Sequence, residues 1–169
     1  LPGKMHIPPS DIQVLSPTRK GELGTKNLNR RLQEALNPAS PEKKEKLFSD
    51  VVFREGDRVM QIKNNYDILW RSADGSSAGS GIYNGDIGRI VSIDTDAENV
   101  TVDFDGRLAA YAFDSLLELE HAWAMTVHKS QGSEYRAVIL ALSASSQMLL
   151  TRDVLYTAVT RAKEILIMV

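Results

Sequence analysis

Two short segments hold most of the groups that can do chemistry. "TVHKSQGSEY", Thr126 to Tyr135, gathers a histidine, a lysine, several hydroxyls, a glutamine and a glutamate around Gly132. "YTAVTRAKE", Tyr156 to Glu164, follows about twenty residues later and centres on Arg161. His6, His121 and His128 are too scattered to suggest a zinc site, and nothing follows a Ser/His/Asp order. The first segment offers phosphate donors in Thr126, His128 and Lys129, a backbone free to approach a ligand at Gly132, and an acceptor for a ribose hydroxyl in Glu134. On a helical wheel, Val154, Leu155, Ala158, Val159 and Ala162 share an arc of roughly 140°, and Arg161 falls about 20° beyond it. A planar, permanently charged fork at the rim of a buried helix face suits a phosphate held between domains. Each residue has a plainer reading when taken alone. Arg161 can be a surface salt bridge, Lys129 a solvated charge, His128 a packing residue, and the glycine-bounded segment an ordinary loop.

The bulk of the chain bounds the class. Hydrophobic residues at 43% and charged residues at 25% are the proportions of a soluble globular protein, and 169 residues suffice for one core or two small ones. The sequence shows no long apolar run and no basic-then-apolar leader, so neither a membrane span nor a signal peptide is expected. Without cysteine there are no disulfides or thiolate metal sites, which fits a reducing, cytoplasmic setting. The net charge of −2 is unevenly spread. Residues 1–50 carry nine Lys/Arg against six Asp/Glu, residues 51–119 six against twelve, and residues 120–169 five against four. An acidic middle between mildly basic flanks points to two units with different tasks.

The elements that would position these groups follow the same division. "DIQVLSP" predicts a buried strand at Ile12–Leu15, and "TRKGELGT" a glycine-punctuated loop. A helix follows, with Thr25 as N-cap, a buried stripe of Leu28, Leu32, Ala35 and Leu36, and an end at "NPASP". From Val51 the texture becomes short alternating strands, with hairpin signals at Asn84-Gly85 and Asp105-Gly106 and a flexible tip at "ADGSSAGSG". Four or five such strands suggest a small barrel. "HAWAMTVHKSQG" divides on a helical wheel and predicts a helix stopped at Gly132. "AVILAL" predicts a strand covered on both faces, "TRDVLYTAVTRAK" a second helix and "EILIMV" a last strand. Ending inside an apolar strand reads as a boundary within a longer protein. The expected fold class is therefore α/β, with a parallel sheet from residues 1–50 and 120–169 interrupted by a small β-barrel at 51–119.

Four segments carry a resemblance that covers nearly the whole chain in order. "AWAMTVHKSQGSEY" resembles motif V and "LLTRDVLYTAVTRAKE" motif VI of superfamily 1 DNA helicases, closest to the RecD-like, 5′-to-3′ branch that includes exodeoxyribonuclease V alpha subunits. "QVLSPTRKGELGTKNLNRRLQEALNP" resembles the motif IV region of that family, and "FREGDRVMQIKNNYD" with "IYNGDIGRI" the start of its SH3-like 2B insertion. The resemblance implies a partial RecA-like motor domain, 2A, carrying 2B. It implies that Arg161 is an arginine finger on the ATP γ-phosphate, that Gly132 and Glu134 lie near the nucleotide and its ribose, and that Thr126, His128 and Lys129 face single-stranded DNA. Arg30 occupies the place of a second phosphate-sensing arginine, with Arg19 competing. Gln61, Asn64, Asn65 and Tyr66 either touch DNA or simply form a turn.

The resemblance also implies what lies elsewhere. A phosphate-cradling G-x-x-x-x-G-K-[ST] loop and an acidic Mg²⁺ partner are absent from this sequence. "PGKMH" lacks the first glycine and the hydroxyl, and "SIDTDAE" ends a barrel strand. ATP and Mg²⁺ are thus expected in the full-length protein and not on this segment alone, which is expected to be inactive. Expected partners are single-stranded DNA, an N-terminal motor domain 1A and, in one branch of the family, other exodeoxyribonuclease V subunits. The alternative is a passive DNA- or protein-binding module built on the barrel, although its excess of acidic residues argues against autonomous DNA affinity.

Overall fold

A computed structural model describes residues 6–142 and 151–169; Gly3-Lys4 and the Leu149-Leu150 opening of the motif VI stretch lie outside them. The elements run β1 (Ile12–Ser16), α1 (Thr25–Leu36), β2 (Glu45–Phe48), β3 (Val51–Arg54), β4 (Arg58–Gln61), β5 (Asn65–Ser72) and β6 (Ala78–Ile82). They continue with β7 (Ile87–Asp94), β8 (Asn99–Phe104), β9 (Arg107–Ala112), β10 (Leu119–His121), β11 (Ala124–Thr126), β12 (Tyr135–Leu140), α2 (Arg152–Val159) and β13 (Ala162–Met168). Two compact units result, one of residues 1–32 with 123–169, the other of residues 33–122. Among the described residues no helix is long and apolar enough to cross a membrane.

The first unit is a parallel sheet in the order β11-β1-β12-β13. Gln13, Leu15 and Ser16 of β1 and Val138 and Leu140 of β12 are fully buried, as interior strands of a parallel sheet require. The helix expected over "HAWAMTVHKSQG" is absent. Ala124–Thr126 is instead a strand paired with β1 in the register Val14↔Ala124 and Ser16↔Thr126, and only His128–Ser130 winds as a 3₁₀ turn. Ala124, Met125 and Val127 are all buried, which suits an extended strand better than one face of a helix. The outer side of β11 is satisfied by a side chain. Asn29 Oδ1 accepts from the Ala124 amide at 2.7 Å and its Nδ2 donates to the Ala124 carbonyl at 2.9 Å, as a neighbouring strand would.

Helix α1 follows the expected stripe only in part: Leu28 and Leu32 are half-buried, but its last turn departs from it. Leu36 is 51% exposed and Ala35 is exposed, whereas Thr25, Gln33 and Asn37 are buried. Thr25, Asn29, Gln33 and Asn37 recur at every fourth residue and form a polar stripe whose amides meet backbone and carboxylate groups. The helix starts one residue before the expected cap allows: the Gly24 carbonyl accepts from the Leu28 amide at 3.0 Å, so Gly24 occupies the cap and Thr25 the first turn. No side chain fits at Gly24, because a Cβ there would collide with the Lys20 carbonyl and with Arg19.

The second unit is a seven-stranded antiparallel sheet, β10-β4-β7-β8-β9-β5-β6, with a separate β2-β3 ribbon. Its end strands β10 and β6 do not pair, so among the described residues the sheet is open and not the closed barrel expected. Alternation along β8 buries Val100, Val102 and Phe104 against Phe53, Ile82, Ile90, Tyr111 and Leu116. Asp105-Gly106 turns β8 onto its partner β9 as expected. Asn84-Gly85 instead forms a corner between β6 and β7, which do not pair. The tip between β5 and β6 is internally braced: Asp74 accepts from Ser72 Oγ at 2.6 Å, Ser76 Oγ at 2.7 Å and the Ser76 amide at 3.0 Å. Those bonds hold the Asp74 carboxyl down at about 2.

Two buried carboxylates organise this unit. Asp57, fully buried, accepts from Gln33 Nε2 at 2.6 Å, the Arg54 amide at 2.7 Å and Asn37 Nδ2 at 2.8 Å, and lies 3.0 Å from His121 Nε2. Glu118 accepts from Gln61 Nε2 and Asn65 Nδ2, each at 2.9 Å, and pairs with Lys63 at 3.0 Å. Burial pushes the Glu118 carboxyl up, but the bonds from Asn65, Lys63 and Gln61 outweigh it and leave it below the usual carboxylate value. Burial, with the Glu118 and Asp86 carboxylates nearby, pushes the Tyr111 phenol far up, so it remains a donor to Gln61 Oε1 at 2.9 Å.

Asp57→Asn replaces an acceptor by a donor facing donors, and should destabilise the chain by about 2–4 kcal/mol in urea unfolding; a change below about 0.5 kcal/mol would contradict the hub. Because the folded Glu118 value is lowered, its contribution is present above about pH 4.5 and is lost as pH falls through the lower folded value. Glu118→Gln should therefore flatten the acid limb of the stability curve below that pH, as read by melting temperature against pH.

Candidate functional site

The candidate segment leaves the C-terminal end of β11 and runs back to the N-terminal end of β12, where Arg161 stands just before the parallel strand β13. As β11 ends, the Val127 amide donates to the Ser16 carbonyl at 3.1 Å and the chain turns through His128–Ser130. Ser130 is fully buried and its hydroxyl donates to the Val127 carbonyl at 2.6 Å, closing the turn from within. Thr126, half-buried, accepts from the Lys129 amide at 3.3 Å, while His128 stands exposed at the tip. Gly132 follows in the left-handed region at φ +84, exposed, with open space around the position a Cβ would take. Only glycine takes this conformation without strain, and here it redirects the chain into β12.

Arg161 meets this segment directly. It does not lie on the helix rim as expected: α2 ends at Val159, Thr160 is the C-cap, and Arg161 sits in the turn before β13. Its amide and carbonyl are both engaged, the carbonyl accepting from the Tyr135 amide at 2.8 Å. The half-buried guanidinium donates from Nε to the Thr157 carbonyl at 3.3 Å, from Nη1 to the Ser133 carbonyl at 3.1 Å and from Nη2 to Thr160 Oγ1 at 3.2 Å. All three acceptors are neutral, and among the described residues none of its partners is a carboxylate. The positive charge is thus oriented but not neutralised, and each terminal nitrogen keeps an N–H group for another acceptor. That arrangement fits an oxyanion such as a phosphate.

The structure thus joins Arg161 to Ser133, next to Gly132 and Glu134, while Thr126, His128 and Lys129 lie at the other end of the same segment, where β11 ends. Glu134 is exposed and paired with Lys163 at 3.2 Å, so any ribose hydroxyl would compete with that ion pair. Arg19 lies in the exposed loop before α1 and Arg30 is exposed on α1, donating to Asn27 Oδ1 at 3.0 Å. Asn64 and Asn65 belong to the second unit. Asn64, exposed, accepts through Oδ1 from the Asn84 amide at 2.9 Å, Asn65 serves Glu118, and Gln61 is fully buried; Tyr66 is exposed and edge-on to Tyr83 at 5.7 Å. Among the described residues no group of three or more His, Asp or Glu is placed to hold a metal ion. Sequence reasoning missed Asn29, which sets the β11 edge, and Thr160, which touches the guanidinium. The fourfold repeat Thr25, Asn29, Gln33, Asn37 was the available signal for the first; nothing in the letters marks the second.

Two segments of the chain match known domain families. Residues 28–104 match the ATP-dependent RecD-like DNA helicase SH3 domain, and residues 121–169 the UvrD-like helicase C-terminal domain. The chain is 35% identical over 156 residues to the ATP-dependent RecD2 DNA helicase of Deinococcus radiodurans, covering 92% of this chain and 19% of that protein. It is 32% identical over 151 residues to the RecBCD enzyme subunit RecD of Mycolicibacterium smegmatis, covering 89% of this chain and 24% of that one. It thus spans about a fifth of the length of these relatives. In fold it resembles a Pif1 helicase from Bacteroides solved with ADP-AlF3 and single-stranded DNA, with a TM-score of 0.62 at 18% identity over 98% of this chain and 42% of that one. In sequence order, then, the chain carries a match to the RecD-like DNA helicase SH3 domain followed by a match to the UvrD-like helicase C-terminal domain, and nearly its full span is similar to RecD-type helicase proteins.

Proposed function

We propose that this chain is the C-terminal motor portion of an ATP-dependent 5′-to-3′ DNA helicase, with residues 1–50 and 120–169 as motor domain 2A and 51–119 as the 2B insertion. The observation that carries the reading is the bond from Arg161 to the Ser133 carbonyl, which ties the charged fork to the segment around Gly132. ATP supplies the phosphoryl group whose transfer to water drives the motor. Its phosphate-cradling loop and Mg²⁺ partner belong to a separate domain 1A that faces this one.

Each residue then has a physical task. Arg161 presents its free N–H groups to the γ-phosphate and stabilises negative charge as the phosphoryl group leaves. Gly132 lets backbone approach the nucleotide, and Glu134 exchanges Lys163 for a ribose hydroxyl. Arg30, or Arg19, senses phosphate from the α1 side. Thr126, His128 and Lys129 grip the strand's phosphates from the outer side of the same turn, and Asn64 and Asn65 shape the 2B loop beside Tyr66. Closure of the two motor domains on ATP and release after hydrolysis move the grip along DNA. Such a motor works in the cytoplasm, either alone or with other exodeoxyribonuclease V subunits.

In the full-length protein, Arg161→Ala should lower ATP turnover by about 10³-fold or more while single-stranded DNA affinity stays within about twofold. Arg161→Lys should not restore it, because an ammonium cannot reproduce the fork. Equal loss of turnover and DNA binding would reduce Arg161 to a fold residue. The isolated chain should show no saturable ATP turnover.

A further inference from the structure

We infer that Thr160 is a positioning residue for Arg161, acting through the guanidinium and not on any ligand; this rests on the phosphate-sensing role proposed above. Thr160 is exposed at the end of α2, yet its hydroxyl is fully engaged. It accepts from Arg161 Nη2 at 3.2 Å and has two carbonyls within reach for its single proton, Tyr156 at 3.0 Å and Thr157 at 2.9 Å. With that proton committed to a helix carbonyl, the oxygen's lone pairs are left for the guanidinium.

The geometry closes on itself. The Thr157 carbonyl that receives the Thr160 hydroxyl also accepts from Arg161 Nε at 3.3 Å, and the Ser133 carbonyl holds Nη1 at 3.1 Å. Three acceptors thus meet three different nitrogens, which sets both the position and the plane of the fork. Two of the acceptors are backbone carbonyls that any residue at those positions would supply. The third is a side chain, so residue identity at 160 decides whether the Nη2 corner is held. The Thr157 carbonyl lies in the last turn of α2, where the helix dipole favours a cation, so the hydroxyl fine-tunes an arginine already drawn to that end.

The plain alternative is that the Thr160 hydroxyl only finishes the helix. The two roles separate in the full-length protein with Thr160→Val, Thr160→Ser and Arg161→Ala. ATP turnover is measured together with binding of ADP alone and of ADP with magnesium and aluminium fluoride. Thr160→Val should lower kcat about tenfold, the rate equivalent of one ordinary hydrogen bond, with KM for ATP within about twofold. It should weaken the aluminium fluoride complex by a similar factor and leave ADP affinity within about twofold, since a misplaced fork matters most where charge develops. Thr160→Ser should restore both. Wild-type behaviour of Thr160→Val, equal weakening of both nucleotide complexes, a fall in melting temperature accompanied by lost ADP affinity, or failure of Thr160→Ser would each overturn the inference. If Arg161→Ala leaves turnover intact, the sensor reading itself has failed. If Arg161→Ala abolishes turnover while Thr160→Val does not change it, only the positioning role falls.

Discussion

One buried carboxylate holds the inserted unit together where the chain enters and leaves it. Asp57 collects Gln33 and Asn37 from the end of α1 and the residue after it, the Arg54 amide from its own turn, and His121 from β10, the last strand before the chain leaves. A carboxylate can remain fully buried only if its oxygens are met, and here four groups do so. The consequence is topological. An insertion is attached by two crossings, and these contacts bring both to a single point, so β4 starts in register with β10 and β7. Glu118 repeats the device on the other flank of β4 through Gln61, Asn65 and Lys63. Both hubs draw on amide side chains, which supply donors without adding a second buried charge.

The candidate site follows the opposite electrostatic rule. Among the described residues Arg161 is held by neutral oxygens only, so the fork is oriented while its charge stays available. A carboxylate in place of the Ser133 carbonyl would fix the arginine more strongly but would cancel the field it offers to any anion. Exposed pairs nearby show the contrast: Arg136 binds Glu164 bidentately at 2.7 and 3.1 Å, and Lys163 pairs with Glu134 at 3.2 Å. Those cations are compensated and serve the surface of the sheet. Arg161 differs from them in the neutrality of its partners among the described residues.

Much of the fold was legible in the residues. The apolar runs at β1, β12 and β13, the alternation along β8 and the turn at Asp105-Gly106 were all readable from periodicity and turn chemistry. The errors share a cause. At α1 the leucines suggested the buried face, yet polar residues one position along each turn are buried, because the surfaces they meet present unpaired backbone groups and a carboxylate. At His121–Gly132 a helical wheel could be drawn, but the open edge of β1 offered pairing that extended Ala124–Thr126. At 51–119 the strand texture was sound, and closure was not, since whether two end strands meet depends on twist and register accumulated over the whole sheet.

By itself, then, the sequence determined the alternation of textures, the acidic middle, the positions of the turns, and a set of donors around Gly132 followed by Arg161 in an order that marks a helicase family. Tertiary structure alone decided that Arg161 leaves the helix and meets Ser133, that Thr160 holds its third nitrogen, and that Asp57 joins Gln33, Asn37 and His121. The reason is physical. Periodicity reports which side chains avoid water, whereas a buried polar group is placed by the particular backbone or charge it must satisfy, and that partner comes from a distant part of the chain.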